Sequence, residues 1–296
     1  MIISASRRTD IPCYYSEWLI NRLRSGYVMA RNPMNHSRVS RIFLSSDIVD
    51  CIVFWTKDAS NMMGKLKYID DLGYRYCFQY TITPYDVDIE QNLRPKDEII
   101  ENFKLLGSLL GKHCMVWRYD PIIVNEKYTV NYHKNSFERM CEKLSPYTDI
   151  VIISFFDLYA KLRLKGIKEV PMETIEVLSE NIGAIAKRYG LIVQSCCEDY
   201  DLAKFNILQG GCIGLQVVEK VCDYKLSLKP DKGERKNCNC IKSIDIGAYN
   251  SCLNGCLYCY ANFSEKTAKA NYKGHNASTE FLIGERKPND KIYDRF

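Results

Sequence analysis

Short apolar runs rich in β-branched and aromatic residues alternate along most of this sequence with longer segments of helical periodicity. The runs Ile2–Ala5, Cys51–Thr56, Tyr76–Thr83, Cys114–Tyr119, Ile150–Phe156 and Leu191–Ser195 read as strands. Between them Ser16–Arg24, Ser60–Leu72, Lys96–Leu110, Asn131–Leu144 and Met172–Tyr189 read as helices. In the third of these, Ile99, Ile100, Phe103, Leu106, Leu109 and Leu110 recur at helical spacing and predict one apolar stripe. A seventh strand, Ser243–Ile246, runs into Gly247, and a helix is predicted from about Ala261 to Asn271. A strand followed by a helix returns to pair in parallel with an earlier strand, so the pattern calls for βαβ units. Seven such strands in 296 residues predict a complete or partial (β/α) barrel, with an open doubly wound sheet as the alternative. Residues 1–198 and 243–296 would build the barrel, and 199–242, which fits the alternation worst, would form a cysteine-containing loop region.

Apolar residues make up 46% of the chain and charged residues 26%, enough for a buried core and too balanced for a disordered polymer. The formal charge of +5 permits an anionic substrate without requiring nucleic acid. No run approaches the roughly 20 apolar residues that cross a bilayer, so no membrane partner is expected. In the opening MIISASRRTD the arginines follow a short apolar segment, the reverse of a secretory signal, and the expected compartment is the cytoplasm. There, 14 cysteines point to metal or redox chemistry rather than disulfides. Nine lie between Cys196 and Cys259, whereas Cys13, Cys51, Cys77, Cys114 and Cys141 are scattered singly and read as small buried core residues.

In parallel α/β folds ligands gather at the carboxyl ends of the strands. The first strand ends in Ser4, Ser6, Arg7, Arg8 and Asp10, the second in Trp55, Thr56 and Lys57, and the third in Gln79, Thr81 and Thr83. The fourth supplies Trp117, Arg118, Tyr119 and Asp120, the fifth Ser154 and Asp157, and the sixth Cys196, Cys197 and Glu198. An Arg beside an Asp is commonly a rim ion pair, but Gln79, Thr81 and Thr83 share one strand face by its two-residue period. Lys57, Gln79, Thr81, Arg118, Tyr119, Asp120 and Glu198 are therefore the candidate substrate or catalytic residues. Aromatic and Arg groups among them favour a small planar or anionic molecule, including a nucleotide or modified base.

Cys252, Cys256 and Cys259 form a C-x3-C-x2-C loop between a strand and a helix. Three thiolates at this spacing can bind three irons of a cubane 4Fe–4S cluster and leave the fourth open. The string CLNGCLYCYAN, with Tyr258 before its last cysteine, resembles the cluster loop of the radical S-adenosylmethionine superfamily. The wider chain, through IISASRRTDIP, VFWTK, WRYDPII and SIDIGAYNSC, resembles the bacterial family of domain of unknown function 1848. The superfamily resemblance implies that S-adenosylmethionine binds the open iron and is cleaved by one-electron reduction to give a 5′-deoxyadenosyl radical, with a flavodoxin or ferredoxin as electron donor. That superfamily's cluster loop follows its first strand, so the resemblance also implies a circularly permuted barrel in which Ser243–Ile246 lies beside Ile2–Ala5. Ser6, Arg7 and Arg8 would then meet the cofactor's amino-acid moiety, and Tyr258 would belong to the same cofactor site. No Gly-Gly-Glu follows that strand, a departure from the superfamily pattern.

A second set comprises one of Cys196 and Cys197 (Cys197 being preferred) with Cys212, Cys238 and Cys240, four thiolates that suit an auxiliary iron–sulfur cluster or a structural zinc. A rival reading makes Cys238, Cys240, Cys256 and Cys259 a zinc site in a nucleic-acid-binding or interaction module without catalysis, which leaves Cys252 unused. A metal-dependent hydrolase would want paired histidines, and His36, His113, His133 and His275 form no such pair.

Overall fold

The computed structural model describes residues 1–156, 168–228, 231 and 238–296. Asp157, most of the 161–168 basic cluster and most of the 229–237 charged run lie outside the described residues. In chain order the regular elements are β1 (Ile2–Ala5), α1 (Ile11–Tyr14), α2 (Ser16–Ser25), β2 (Tyr27–Arg31), β3 (Arg38–Phe43), β4 (Cys51–Thr56), α3 (Leu66–Asp71), β5 (Tyr76–Thr81), α4 (Lys96–Leu110), β6 (Met115–Ile122) and α5 (Val130–Leu144). They continue with β7 (Ile150–Phe155), α6 (Met172–Arg188), β8 (Ile192–Cys196), β9 (Ile207–Gly210), α7 (Leu215–Cys222), β10 (Ile244–Asp245), α8 (Glu265–Lys273) and β11 (Lys291–Arg295). The chain forms two compact units, one of residues 1–77, 243–255 and 261–296, the other of 78–242 and 256–260.

In the first unit β10, β1 and β4 pair in parallel, Ile3 opposite Ile244 and Ile52. Every residue of β1 is buried, as expected of a short central strand covered on both faces, which is why it reads as an unbroken apolar run. The expected adjacency of the N-terminal strand and the strand before the cysteine loop is thus observed. A second sheet was not expected: β2 and β3 form an antiparallel pair, and β11 joins β3 in parallel. Its polarity hides it in the sequence. Arg41 makes two 2.8 Å hydrogen bonds to Asp294 on the neighbouring strand, and Phe43 stacks on Phe296 with ring centroids 4.7 Å apart. Val28 and Ile42 are fully buried on one face of this sheet, and Met29, Val39 and Phe281, with Tyr27 and Ile292 against them, form a small cluster on the other.

In the second unit β5, β6, β7, β8 and β9 pair successively in parallel. Alternation splits their side chains into two sets. Tyr80 meets Phe103 of α4 edge-on, while Trp117 and Tyr119 pack on Phe137 of α5. Burying Trp117 alone removes roughly 200 Å² from water, about 5 kcal/mol before entropy costs. Gln79 and Arg118 occupy the opposite face. Region 199–242 is more regular than expected: β9 adds an eighth parallel strand and α7 follows it. Four residues, two of them exposed, were too little pattern to read as a strand. The α4 stripe buries Ile99, Ile100, Phe103 and Leu106 but exposes Leu109, because the last turn carries it to the surface. Four of the five scattered cysteines are buried, and Cys13 is half-buried. The C-terminal helix begins at Glu265, capped by Ser264, rather than at Ala261.

Candidate functional site

The carboxyl ends of β1 and β10 meet at Asp245. Its carboxylate accepts from Ser4 Oγ at 3.0 Å, Ser6 Oγ at 2.7 Å, Arg7 N at 2.8 Å and Gly247 N at 3.0 Å. Ser6 Oγ in turn accepts from Arg8 N at 2.9 Å. One carboxylate therefore shapes the whole Ser6–Arg8 turn. The two arginines lie over aromatic rings, Arg7 over Trp55 at 5.4 Å and Arg8 over Tyr249 at 5.1 Å. Gly247 is required here by space, since a Cβ on it would stand 2.1 Å from Ser6 Oγ.

The first half of the cysteine loop is held within the first unit. Asp10 caps α1 through Cys13 N at 3.0 Å, and its other oxygen accepts from Lys57 N at 2.8 Å and Asn254 Nδ2 at 3.2 Å. Tyr14 OH donates to Asn254 Oδ1 at 2.8 Å, and Tyr15 OH donates to Ser251 O at 2.6 Å. Cys252 is half-buried between these anchors, and Asn262 Nδ2 donates to its carbonyl. Burial raises the Asp10 carboxyl to about 6 against the backbone and side-chain donors that lower it. Burial likewise pushes both tyrosine hydroxyls up, with Cys252 adding to the effect, so they remain donors.

The second half, Cys256–Tyr260, is held within the second unit. Leu257 N donates to Ile89 O at 3.0 Å, and Cys256 bridges to Glu90 in antiparallel fashion. Buried Glu90 accepts from Tyr258 OH, from Thr83 Oγ1 at 2.7 Å and from Lys96 Nζ at 2.6 Å. Tyr258 and Leu257 pack on Tyr85, Ile89, Ile123, Tyr128 and Phe156. Burial, then the neighbouring Glu90 charge, pushes the Tyr258 hydroxyl well up.

A polar row lies on the face of the second unit's strands opposite α4 and α5. Arg118 reaches Asp120 through Nε at 3.0 Å and Nη2 at 2.5 Å, and Gln79 Oε1 through Nη1 at 3.2 Å. Ser154 Oγ lies 3.5 Å from Asp120, and Gln79 Nε2 donates to Cys212 O at 2.6 Å. Burial opposes the Arg118 charge, but the Asp120 carboxylate outweighs it and holds the guanidinium protonated.

Of the candidates, Gln79, Arg118, Asp120, Cys196 and Cys212 thus come together, and Thr81 is the register partner of Arg118. Tyr119 points to the other face, its OH 2.8 Å from buried His133 Nδ1. Glu198 is buried, accepting from Phe155 N at 2.8 Å. Lys57 is buried at the end of β4. Asp245 and Glu90 were missed. The strand-end rule applied to the seventh strand would have found Asp245, whereas nothing local distinguishes Glu90, which lies on a loop after β5. Among the described residues no three His, Cys, Asp or Glu side chains are grouped as for a single metal ion, and no helix is long and apolar enough to cross a membrane.

Parallel strands with intervening helices, polar at their carboxyl ends, define an α/β protein. The chain belongs to the family described as Domain of unknown function (DUF1848), whose profile matches residues 2–261. Searches of the curated proteins and of the solved structures find no match.

Proposed function

We propose that this protein is a radical S-adenosylmethionine enzyme whose 4Fe–4S cluster is bound by Cys252, Cys256 and Cys259. The observation that carries the reading is the cysteine loop itself: three half-buried thiols at C-x3-C-x2-C spacing, none in a disulfide, directly after a strand that pairs in parallel with β1. That donor set fits a cubane with one open iron. The absence of a single-ion grouping does not bear on it, because each thiolate of such a cluster binds a different iron. When bound, the cluster supplies one-electron cleavage of S-adenosylmethionine and so hydrogen abstraction from a substrate. A small protein donor of the flavodoxin or ferredoxin kind would deliver the electron. Closure of the parallel strands into a permuted (β/α) barrel belongs to the same reading.

The chain's own residues have separable parts in it. Asp10, Asn254, Tyr14 and Tyr15 fix the backbone around Cys252, and Glu90 with Tyr258 fixes it around Cys256. Asp245 orients Ser6, Arg7 and Arg8 for the carboxylate and amino groups of the cofactor. Tyr258 is engaged by Glu90, so it positions the loop while belonging to the cofactor site. Arg118 is already neutralised by Asp120, so with Gln79 and Ser154 it offers a hydrogen-bonding row for a polar substrate, small or nucleotide-like, more than a free positive charge.

The test is iron and sulfide analysis of anaerobically purified protein, with reduced EPR spectra with and without S-adenosylmethionine. A spectrum altered by S-adenosylmethionine, and loss of its cleavage in a Cys252→Ala, Cys256→Ala, Cys259→Ala triple variant, are the expected results. Full retention of cleavage by that variant overturns the assignment. Zinc without iron after reconstitution would favour a binding module instead.

A further inference from the structure

Five thiols of the second unit form a continuous run of contacts. Cys196 Sγ lies 2.7 Å from Cys212 Sγ and 3.8 Å from Cys197 Sγ. Cys238 is hydrogen-bonded to both Cys197 and Cys240, and Ile213 N donates to Cys240 Sγ at 3.4 Å. Three separate stretches supply them: the end of β8, the turn after β9 and the segment 238–240. The turn is built for this approach. A Cβ on Gly211 would lie 2.4 Å from Asn239 O and 2.8 Å from Cys240 N, so only glycine lets the 238–240 backbone come this close to Cys212.

Arg118 is buried on the same strand face as Cys196. Gln79 holds the Cys212 carbonyl at 2.6 Å and Arg118 at 3.2 Å, tying cation and cysteine turn together. We infer that these five cysteines form a second iron–sulfur site within the second unit, four of them supplying thiolates to a fully protein-ligated polynuclear core.

Two other uses of the same sulfurs fit less well. Zinc would need three or four donors around one point, an arrangement not found among the described residues. A polynuclear core spreads its ligands over several irons, as an extended run of thiols from three segments does. A disulfide between Cys196 and Cys212 would account for the shortest contact but not for Cys197, Cys238 and Cys240 joining the run. The inference is independent of the Cys252–Cys259 reading.

The experiment compares three proteins after anaerobic reconstitution with ferrous iron and sulfide: the wild type, the Cys252→Ala, Cys256→Ala, Cys259→Ala variant, and a Cys212→Ala, Cys240→Ala variant. The triple variant is expected to keep iron and sulfide in equal amounts and a visible charge-transfer band. The double variant should lose that increment while keeping an EPR signal that responds to S-adenosylmethionine. A triple variant that is folded by circular dichroism yet colourless, that holds zinc instead, or that shows a Cys196–Cys212 disulfide by peptide mapping overturns the second site. Should the double variant fail to fold, the triple variant decides: about two to four irons per chain with equal sulfide supports the site, and none overturns it. Loss of the S-adenosylmethionine response in the double variant alone would count against the first cluster and leave the second standing.

Discussion

Ser6 and Asp245, 239 positions apart in the chain, are joined by a 2.7 Å hydrogen bond at the carboxyl ends of the adjacent parallel strands β1 and β10. The contact ties the strand that precedes the cysteine loop to the turn bearing Arg7 and Arg8. Ser4 of β1, Ser6 and Arg7 of that turn, and Gly247 all donate to Asp245, so the carboxylate is the point where these stretches are locked together.

Asp245→Ala removes the acceptor for four hydrogen bonds in a nearly buried place. A loss of about 3 kcal/mol and a melting temperature lower by roughly 5–10 °C are expected, together with weakened S-adenosylmethionine binding. Asp245→Asn should rescue little, because its amide N–H groups would face other donors. Thermal unfolding and equilibrium binding check this, and a wild-type melting point for the alanine variant would count against it.

Glu90 gathers Tyr258, Thr83 and Lys96. Tyr258→Phe removes one of the three donors and should cost about 1 kcal/mol, whereas Glu90→Ala strands all three and should cost about 2–3 kcal/mol. The larger change should also speed alkylation of Cys256 and Cys259 in the metal-free protein, since their backbone loses its anchor. Equal alkylation rates in wild type and Glu90→Ala would contradict that role.

Two buried groups give opposite pH dependences. His133 Nε2 lies 2.8 Å from the Ile123 carbonyl, which can only accept, so Nε2 carries the proton and Nδ1 accepts from Tyr119 OH. Burial lowers the ring to about 4, and the stability this provides is present above about 6.5 and is lost as pH falls toward 4, roughly 3 kcal/mol in all. Asp10 runs the other way. Its carboxyl is raised by burial to about 6, so its contribution is fully present below about 3.8 and is lost, by a similar amount, as pH rises through 6. Denaturant titrations across this range should show the wild-type advantage over His133→Gln shrinking as pH falls, and the advantage over Asp10→Asn growing. Flat difference curves would refute both assignments.

Gly211→Ala places a methyl 2.4 Å from Asn239 O. Segment 238–240 must then shift, at a cost of about 1–3 kcal/mol, and Cys238 and Cys240 should move out of reach of Cys197 and Cys212. Lower iron content in the Cys252→Ala, Cys256→Ala, Cys259→Ala background is the expected readout. Unchanged content there would show that the close approach does not matter to the site.

The pattern in the sequence was enough for the central strands and the long helices. Ile2–Ala5, Cys51–Thr56 and Lys96–Leu110 match the observed bounds because burial on both faces, or along one stripe, writes itself into local composition. The spacing of Cys252, Cys256 and Cys259 is equally local. What only the tertiary structure decided is long-range and polar. The sheet of β2, β3 and β11 is held by pairs such as Arg41 with Asp294, charges that in sequence look like solvated surface. Whether Arg118 is a free cation depends on Asp120 and Gln79 being brought to it, and whether Cys196 is a lone core thiol depends on Cys212 and Gly211 arriving from β9. Periodicity reports which side of an element is buried, but a polar group's partner is chosen by chain segments far away in sequence, and that choice is made only when the strands take their order.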